Sequence, residues 1–115
     1  MVRVNQSPRI AEHILDEVTR YEVSRYVAEG DTMRCYPALD NQNRTYAVVI
    51  VPDDEKERPS WVFVMARVVG DYVIIEEDGP PDKPLVEALM VNGGIPREQI
   101  ILAYKGETIP DDSTS

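Results

Sequence analysis

Apolar and polar positions near the start of the chain repeat with the period of an α-helix. Ser7 and Pro8 form a typical helix start, because serine caps the first turn and proline is tolerated at the first helical position. Apolar side chains then recur at helical spacing at Ile10, Ala11, Ile14, Leu15, Val18 and Tyr21. This pattern predicts an amphipathic helix that ends between Glu22 and Glu29, before Gly30.

From Thr32 onward the apolar period changes to two, which is typical of β-strands. We predict strands over residues 32–36, 46–51, 61–69 and 72–77, with a turn at 40–43 and a charged loop at 52–59. Pro37 lacks an amide donor, so the first strand is predicted to lie at a sheet edge. Gly70 and Asp71 form a two-residue loop with glycine first, which favours a type II′ hairpin turn.

That hairpin turn predicts which residues face each other across the third and fourth strands. The expected pairs are Val69 with Tyr72, Arg67 with Ile74 and Met65 with Glu76 on one face, and Val68 with Val73, Ala66 with Ile75 and Val64 with Glu77 on the other. The first face then carries Trp61, Phe63, Met65, Val69, Tyr72 and Ile74, and the second carries Val62, Val64, Ala66, Val68, Val73 and Ile75. Both faces are apolar, so both are expected to need cover.

A second helical pattern follows the strands, with apolar residues at Leu85, Val86, Leu89 and Met90 before the Asn-Gly-Gly stop at 92–94. Residues 100–104 predict a short buried strand, and residues 108–115 predict a polar, disordered tail. The sequence thus predicts a single α+β domain over residues 1–107. Its expected order is an N-terminal helix, an antiparallel meander of about four strands, a second helix and a short C-terminal strand.

Two helices lying side by side cover about one face of a sheet of this width. The other apolar face is then a homodimer or partner interface, unless one helix covers each face; the sequence leaves both arrangements open. On the first arrangement, the candidate contact residues are Trp61, Phe63, Met65, Tyr72, Ile74, Glu76 and Asp78.

Charge narrows the classes of partner. The 115 residues carry a formal net charge of −9, with the second half the more acidic. A negative field repels nucleic acid, so we expect no direct binding of nucleic acid, and a local patch of Arg3, Arg9 and Arg25 is the weaker alternative. No window is long and apolar enough to cross a membrane, and residues 1–7 lack the apolar core of a signal peptide. We therefore expect a cytoplasmic protein.

Candidate catalytic chemistry is sparse. Cys35 is the only cysteine and His13 the only histidine, which excludes an intrachain disulfide and a Cys/His zinc site within one chain. Strand geometry predicts that Glu76 and Asp78 share a face, where they could hold Mg²⁺ if a third oxygen ligand joined them. A small metal-dependent enzyme is therefore the alternative function. An ion pair between Arg67 and Glu76, or a solvated strand end, explains the same carboxylates without a metal, and we predict no cofactor.

The stretch from Trp61 to Tyr104 resembles the XisI-type family of fdxN element excision controlling factors. The resemblance lies in the hairpin 61–77 followed by Asp-Gly, the helix with Leu-Val-Glu-Ala-Leu at 85–89, and above all Gly-Ile-Pro-Arg-Glu-Gln-Ile-Ile-Leu-Ala-Tyr at 94–104. Comparable features extend it to residues 10–105. The chain departs from the family in the hairpin turn, where Gly-Asp replaces Asp-Gly, in Val51-Pro52, and in the prolines of 80–84.

The resemblance implies an α+β domain without known catalytic residues. It also implies an accessory protein that acts alongside a site-specific recombinase and a companion factor that resembles a nuclease. We therefore predict a non-enzymatic regulatory protein that works through protein–protein contacts with a DNA-processing partner, with a homodimer slightly favoured over a monomer. No active site is carried over from the family.

Overall fold

The chain forms one five-stranded sheet with two helices packed against it. The computed structural model describes residues 9–27, 33–53, 59–80 and 82–110. The elements are α1 (Glu12–Ser24), β1 (Met33–Asp40), β2 (Thr45–Pro52), β3 (Trp61–Val69), β4 (Tyr72–Asp78), α2 (Leu85–Val91) and β5 (Ile100–Leu102), with short 3₁₀ turns at Arg97–Gln99 and Ala103–Lys105. The predicted α+β class and element order are confirmed.

Strand order in the sheet is β1-β2-β3-β4-β5. The first four strands form the predicted antiparallel meander, and β5 pairs in parallel with β4. Strand β1 lies at one edge, as Pro37 predicted, and extends beyond the predicted segment to Asp40. The carboxylate of Asp40 accepts hydrogen bonds from the amides of Gln42 and Asn43, which closes the turn into β2.

Helix α1 begins later than the sequence predicts. Its first residue is Glu12, and Ala11 before it makes no side-chain cap. Arg9 and Ile10 are not helical, because the buried side chain of Gln99 holds the backbone of Ile10. The Ile10 amide donates to Gln99 Oε1 at 2.7 Å, and Gln99 Nε2 donates to the Ile10 carbonyl at 3.1 Å. These bonds replace the helical hydrogen bonds that the predicted start would have required.

Several sequence predictions lie outside the described residues. These are the cap at Ser7 and Pro8, the basic residue Arg3, the strand start at Thr32, and most of the charged loop at 52–59. Residues 108–110 are irregular, so the predicted domain boundary and tail stay predictions.

Both helices lie on the same face of the sheet. Leu15 and Val23 of α1 and Leu85 and Leu89 of α2 are fully buried in one cluster. The sheet contributes the alternate residues Tyr46, Val48, Val64, Ala66, Val68, Val73 and Ile75 to that cluster. The arrangement with one helix on each face is therefore not the one that the chain adopts.

A polar network attaches α1 to the sheet beside this core. Arg44 Nε donates to Asp16 Oδ2 at 2.9 Å, and its Nη1 donates to Glu12 at 3.0 Å. The hydroxyl of Tyr46 donates to Asp16 Oδ1 at 3.0 Å. Burial, followed by this hydrogen bond, raises the pKa of Tyr46 to about 12. A charged hydrogen-bonded cluster of this kind fixes where the helix crosses the strands.

The hairpin turn forms as predicted. Gly70 has a φ of 56°, which the first position of a type II′ turn requires. The register is confirmed from Val69 and Tyr72 as far as Ala66 and Ile75.

Beyond that point a β-bulge changes the pairing of β3 and β4. Met65 pairs with Glu77 and Val64 with Asp78, so Glu76 is the extra residue. The predicted pairs of Met65 with Glu76 and of Val64 with Glu77 are therefore wrong. A bulge adds one residue to one strand and reverses the facing of every residue after it.

A second bulge lies between β2 and β3. Val48 pairs with Val64 but Val49 pairs with Val62, so Phe63 is the extra residue. Its ring packs against the helix-side core and meets the ring of Tyr26 edge-on at 6.4 Å. The prediction that Phe63 lies on the face away from the helices is therefore wrong, because alternation stops at the bulge.

Gly79 is expected to be essential to the end of this hairpin. Its amide donates to the Phe63 carbonyl at 2.8 Å, and an added Cβ would lie 2.7 Å from that same oxygen. We predict that Gly79→Ala lowers the free energy of unfolding by about 1–3 kcal/mol, since the backbone must move apart. Urea denaturation measures the change. Wild-type stability in this variant would mean that Gly79 does not contact Phe63 in solution.

Stability should fall between pH 10 and about pH 12. The pKa values of Tyr26 and Tyr46 are both raised to about 12, mainly by burial, so the folded chain keeps protons that unfolded tyrosines have lost. The unfolded state then binds fewer protons, and the free energy of unfolding drops with rising pH by about 1 kcal/mol per pH unit per tyrosine. Urea denaturation at each pH gives the slope of the free energy of unfolding against pH. This slope should be shallower for Tyr46→Phe and for Tyr26→Phe than for the wild type. A double variant with the full wild-type slope would contradict the assignment.

Candidate protein-binding face

The sheet face away from the helices is the candidate site, and we call it the open face. Across the five strands it presents Tyr36, Ala47, Val49, Val62, Met65, Arg67, Val69, Tyr72, Ile74, Glu76, Glu77 and Ile101. Neither helix covers it. Ala47, Ile74 and Ile101 are only 5–8% exposed within it, whereas Tyr36 is 48% exposed. The open face is thus a mainly apolar surface on which some side chains are closely packed and others are accessible.

Several charged side chains on or beside the open face are paired. Arg67 Nε donates to Glu76 Oε2 at 2.8 Å. The Arg9 guanidinium lies 5.5 Å from the centre of the Tyr72 ring, and Arg34 pairs with Asp53 at 3.2 Å. Arg67 and Glu76 lie on the neighbouring strands β3 and β4, and Glu77 is an exposed carboxylate opposite Met65. A mainly apolar surface that also carries charged groups is the composition of a protein–protein interface.

The bulges divide the predicted contact residues between the two faces. Met65, Tyr72, Ile74 and Glu76 lie on the open face, as predicted. Phe63 and Asp78 point to the helix side. The register also places Trp61 opposite Ile50. Ile50 is buried and alternates with Tyr46 and Val48, so it lies on the helix side. The predicted position of Trp61 on the face away from the helices is therefore wrong as well.

Other open-face residues were not predicted. Val62 was expected beneath the helices, and the bulge at Phe63 turns it outward, where it is 38% exposed. Tyr36 lies on β1 and Val49 on β2, and the sequence did not predict how these strands pair with the hairpin. Neither bulge was predicted, because Phe63 is a residue type common in regular strands and Glu76 belongs to a run of acidic residues expected at a strand end.

The strand-end carboxylates do not converge. Asp78 Oδ1 accepts from the Leu85 amide at 2.8 Å and Oδ2 from the Val86 amide at 3.3 Å, so this side chain caps α2. Burial raises the pKa of Asp78, and these two hydrogen bonds oppose the rise. Glu76 pairs with Arg67 on the other side of the sheet. The predicted shared face for Glu76 and Asp78 is therefore wrong, since the bulge lies between them.

Metal-ligand clusters and membrane spans are not found among the described residues. No group of three or more His, Cys, Asp or Glu side chains in ranges 9–27, 33–53, 59–80 and 82–110 is placed to hold a metal ion. Within those ranges no helix has the length and apolarity to cross a membrane. His13 is exposed on α1, and Cys35 packs half-buried against the core.

Basic residues do not gather into one patch in the described structure. Arg9 lies beside the hairpin turn and Arg25 follows the last turn of α1, which is about 20 Å long at ~1.5 Å per residue. Arg25 stacks on the ring of Tyr21 at 5.4 Å. Arg9 and Arg25 therefore do not share one surface, as the alternative of a DNA-binding patch requires.

Comparison with known proteins decides the family. A family model described as "XisI protein" matches residues 1–111. The chain belongs to the XisI family. The resemblance that the sequence indicated is confirmed, and it extends over nearly the whole chain.

Solved structures of XisI proteins share the fold. An XisI-like protein from Anabaena variabilis ATCC 29413 superposes with a TM-score of 0.59 at 16% identity, covering 90% of this chain and 87% of the other. The fdxN element excision controlling factor XisI from the same organism gives a TM-score of 0.56 at 24% identity, with 90% and 92% coverage. No curated protein matches.

The capping role of Asp78 can be tested by substitution. We predict that Asp78→Ala lowers the free energy of unfolding by about 1–2 kcal/mol, because two amides at the start of α2 lose their acceptor. Asp78→Asn should lose less, since its amide oxygen still accepts one bond. Thermal and urea denaturation measure both, with the exposed Glu77→Ala as the matched control. A stable Asp78→Ala variant that loses heat of Mn²⁺ binding would instead support the metal-site alternative.

Proposed function

We propose that this XisI-family protein is a non-enzymatic accessory factor of the excision-controlling type. In this proposal it acts in the cytoplasm and regulates a DNA-processing partner, a recombinase or a nuclease-like companion, through protein contacts. The observation that carries the proposal is the match of the family model to residues 1–111. The fdxN element excision controlling factor with the same fold supplies the type of role.

The open face supports contact with a protein. Most of its side chains are apolar, Arg67 and Glu76 on it pair with each other, and neither helix covers it in the described structure. Contiguous exposed apolar surface on a folded domain commonly marks a binding site for another protein. The net charge of −9 favours partners with basic surfaces and disfavours direct contact with DNA.

The alternative of a metal-dependent enzyme has no observation in its favour. It would use Glu76 and Asp78, and each of these carboxylates has another role in the fold. Glu76 pairs with Arg67, and Asp78 caps α2 from the opposite side of the sheet. Two carboxylates on opposite faces cannot ligate one ion.

Matched tyrosines allow a direct test of the open face. Tyr36 is 48% exposed on that face and Tyr21 is 59% exposed on α1. We predict that Tyr36→Glu weakens partner binding at least tenfold, because a carboxylate is placed in an apolar interface. Tyr21→Glu should bind as the wild type does. The measurement is quantitative co-purification from the native host, with the partner identified by mass spectrometry and the mass of the complex by light scattering.

Two results would contradict the proposal. One is recovery of no recombinase or nuclease-like protein by the wild-type chain at mild salt. The other is equal recovery by Tyr36→Glu and Tyr21→Glu, which would remove the open face from the contact. A mass of two copies without another protein would show that self-association occupies the face. Thermal denaturation of both variants confirms that each is folded.

A further inference from the structure

A cleft lies on the helix side of the sheet, opposite the open face. Its volume is about 770 Å³, and it runs between the C-terminal end of α1 and helix α2. Glu22 of α1 and Tyr26, which follows that helix, line one wall. Phe63 lies at the sheet, and Glu87 and Val91 of α2 line the other wall. The cleft thus combines carboxylates, aromatic rings and aliphatic surface, and the function proposed above leaves it unused.

Glu22 is the buried charge of this cleft. Its side chain is 6% exposed. Oε1 accepts one hydrogen bond, from Asn92 Nδ2 at 3.3 Å, and lies 3.7 Å from Arg25 Nη1, beyond hydrogen-bonding distance. Within the described part of the chain, Oε2 has no hydrogen-bond partner. A carboxylate can accept about four hydrogen bonds, and the ion pair with Arg25 at 3.7 Å is too long to be one of them. Glu22 therefore has capacity for an incoming cationic donor.

The nearest described cation, Arg25, makes only this long ion pair with Glu22. The Arg25 guanidinium stacks on the Tyr21 ring at 5.4 Å, and its side chain is 55% exposed. Lys83 lines the cleft too, but its carbonyl is the group that contacts the other wall, accepting from the Tyr26 hydroxyl at 2.6 Å. Asp82 and Glu87 add two carboxylates to the lining, so acids outnumber bases around the cleft.

Aromatic and aliphatic walls complete the chemistry. Tyr26 is held by its hydrogen bond to Lys83, and its ring packs edge-on against Phe63. A planar guanidinium favours an environment of carboxylate and aromatic face together, more than a compact ammonium does. The methylene stem of an arginine packs well on apolar side chains such as Val91.

We infer that this cleft binds an arginine side chain presented by a polypeptide segment of a protein partner. The guanidinium donates to the Glu22 carboxylate, lies against the Tyr26 and Phe63 rings, and has Glu87 at the second wall. The inference rests on the cleft alone. It stands whether or not the open face contacts a DNA-processing protein.

The test uses the full chain and two small probes that differ in charge. N-acetyl-arginine amide carries the guanidinium, and N-acetyl-citrulline amide is its neutral isostere. Nuclear magnetic resonance titration should show saturable shifts for Glu22, Tyr26 and Phe63 with the arginine probe, with a dissociation constant on the order of millimolar for so small a ligand. The citrulline probe should shift them at least tenfold more weakly.

Matched variants separate the cleft from general electrostatics. Glu22→Gln should weaken the arginine probe at least tenfold, whereas Glu17→Gln, which removes the same charge from an exposed position on α1, should change affinity less than twofold. Equal weakening in the two variants, equal binding of the two probes, or an absence of saturable shifts at the cleft would overturn the inference. If Glu22→Gln does not fold, Glu87→Gln replaces it, with a smaller loss of two- to fivefold expected and the same Glu17→Gln control.

Discussion

Two β-bulges determine which side chains reach the helices. One inserts Phe63 into β3 and the other inserts Glu76 into β4. Each reverses the facing of the residues beyond it, and together they turn the far end of the central hairpin toward the helix layer. The Phe63 ring then meets the ring of Tyr26, which follows α1, and Asp78 reaches the amides of α2. Without these insertions, regular alternation would leave both side chains on the opposite face.

This constraint explains how so small a domain divides its surfaces. The helix side combines an apolar core with polar attachments at defined points, such as the cluster of Asp16, Arg44 and Tyr46 beneath α1. The last turn of α1 is separated from α2 by the cleft that Phe63 borders. The open face keeps its apolar strand residues and pairs Arg67 with Glu76. One sheet thus presents two chemically different surfaces, an apolar one and an acidic aromatic one.

Periodicity and turn chemistry predicted most of the fold. The hairpin 61–77, its type II′ turn, the edge position given by Pro37 and the second helix follow from local signals that the structure confirms. The predicted start of α1 was wrong because Gln99, far along the chain, holds Ile10 out of the helix. The predicted facing is correct for Met65, Tyr72 and Ile74, where alternation continues, and for Glu76 at the bulge itself. That these residues contact a partner stays a prediction. Bulges depend on tertiary contacts, such as the approach of Gly79 to Phe63, and a local pattern does not contain them.

The most direct test of the two bulges is a set of nuclear Overhauser contacts measured in the isolated protein at low concentration. The structure predicts contacts between the ring protons of Phe63 and Tyr26, and between Asp78 and the Leu85 amide. It predicts none from the side chains of Met65 or Ile74 to either helix. Contacts from Met65 or Ile74 to α1 or α2, with none from Phe63, would show that the strands alternate without bulges and that the faces are assigned the wrong way round.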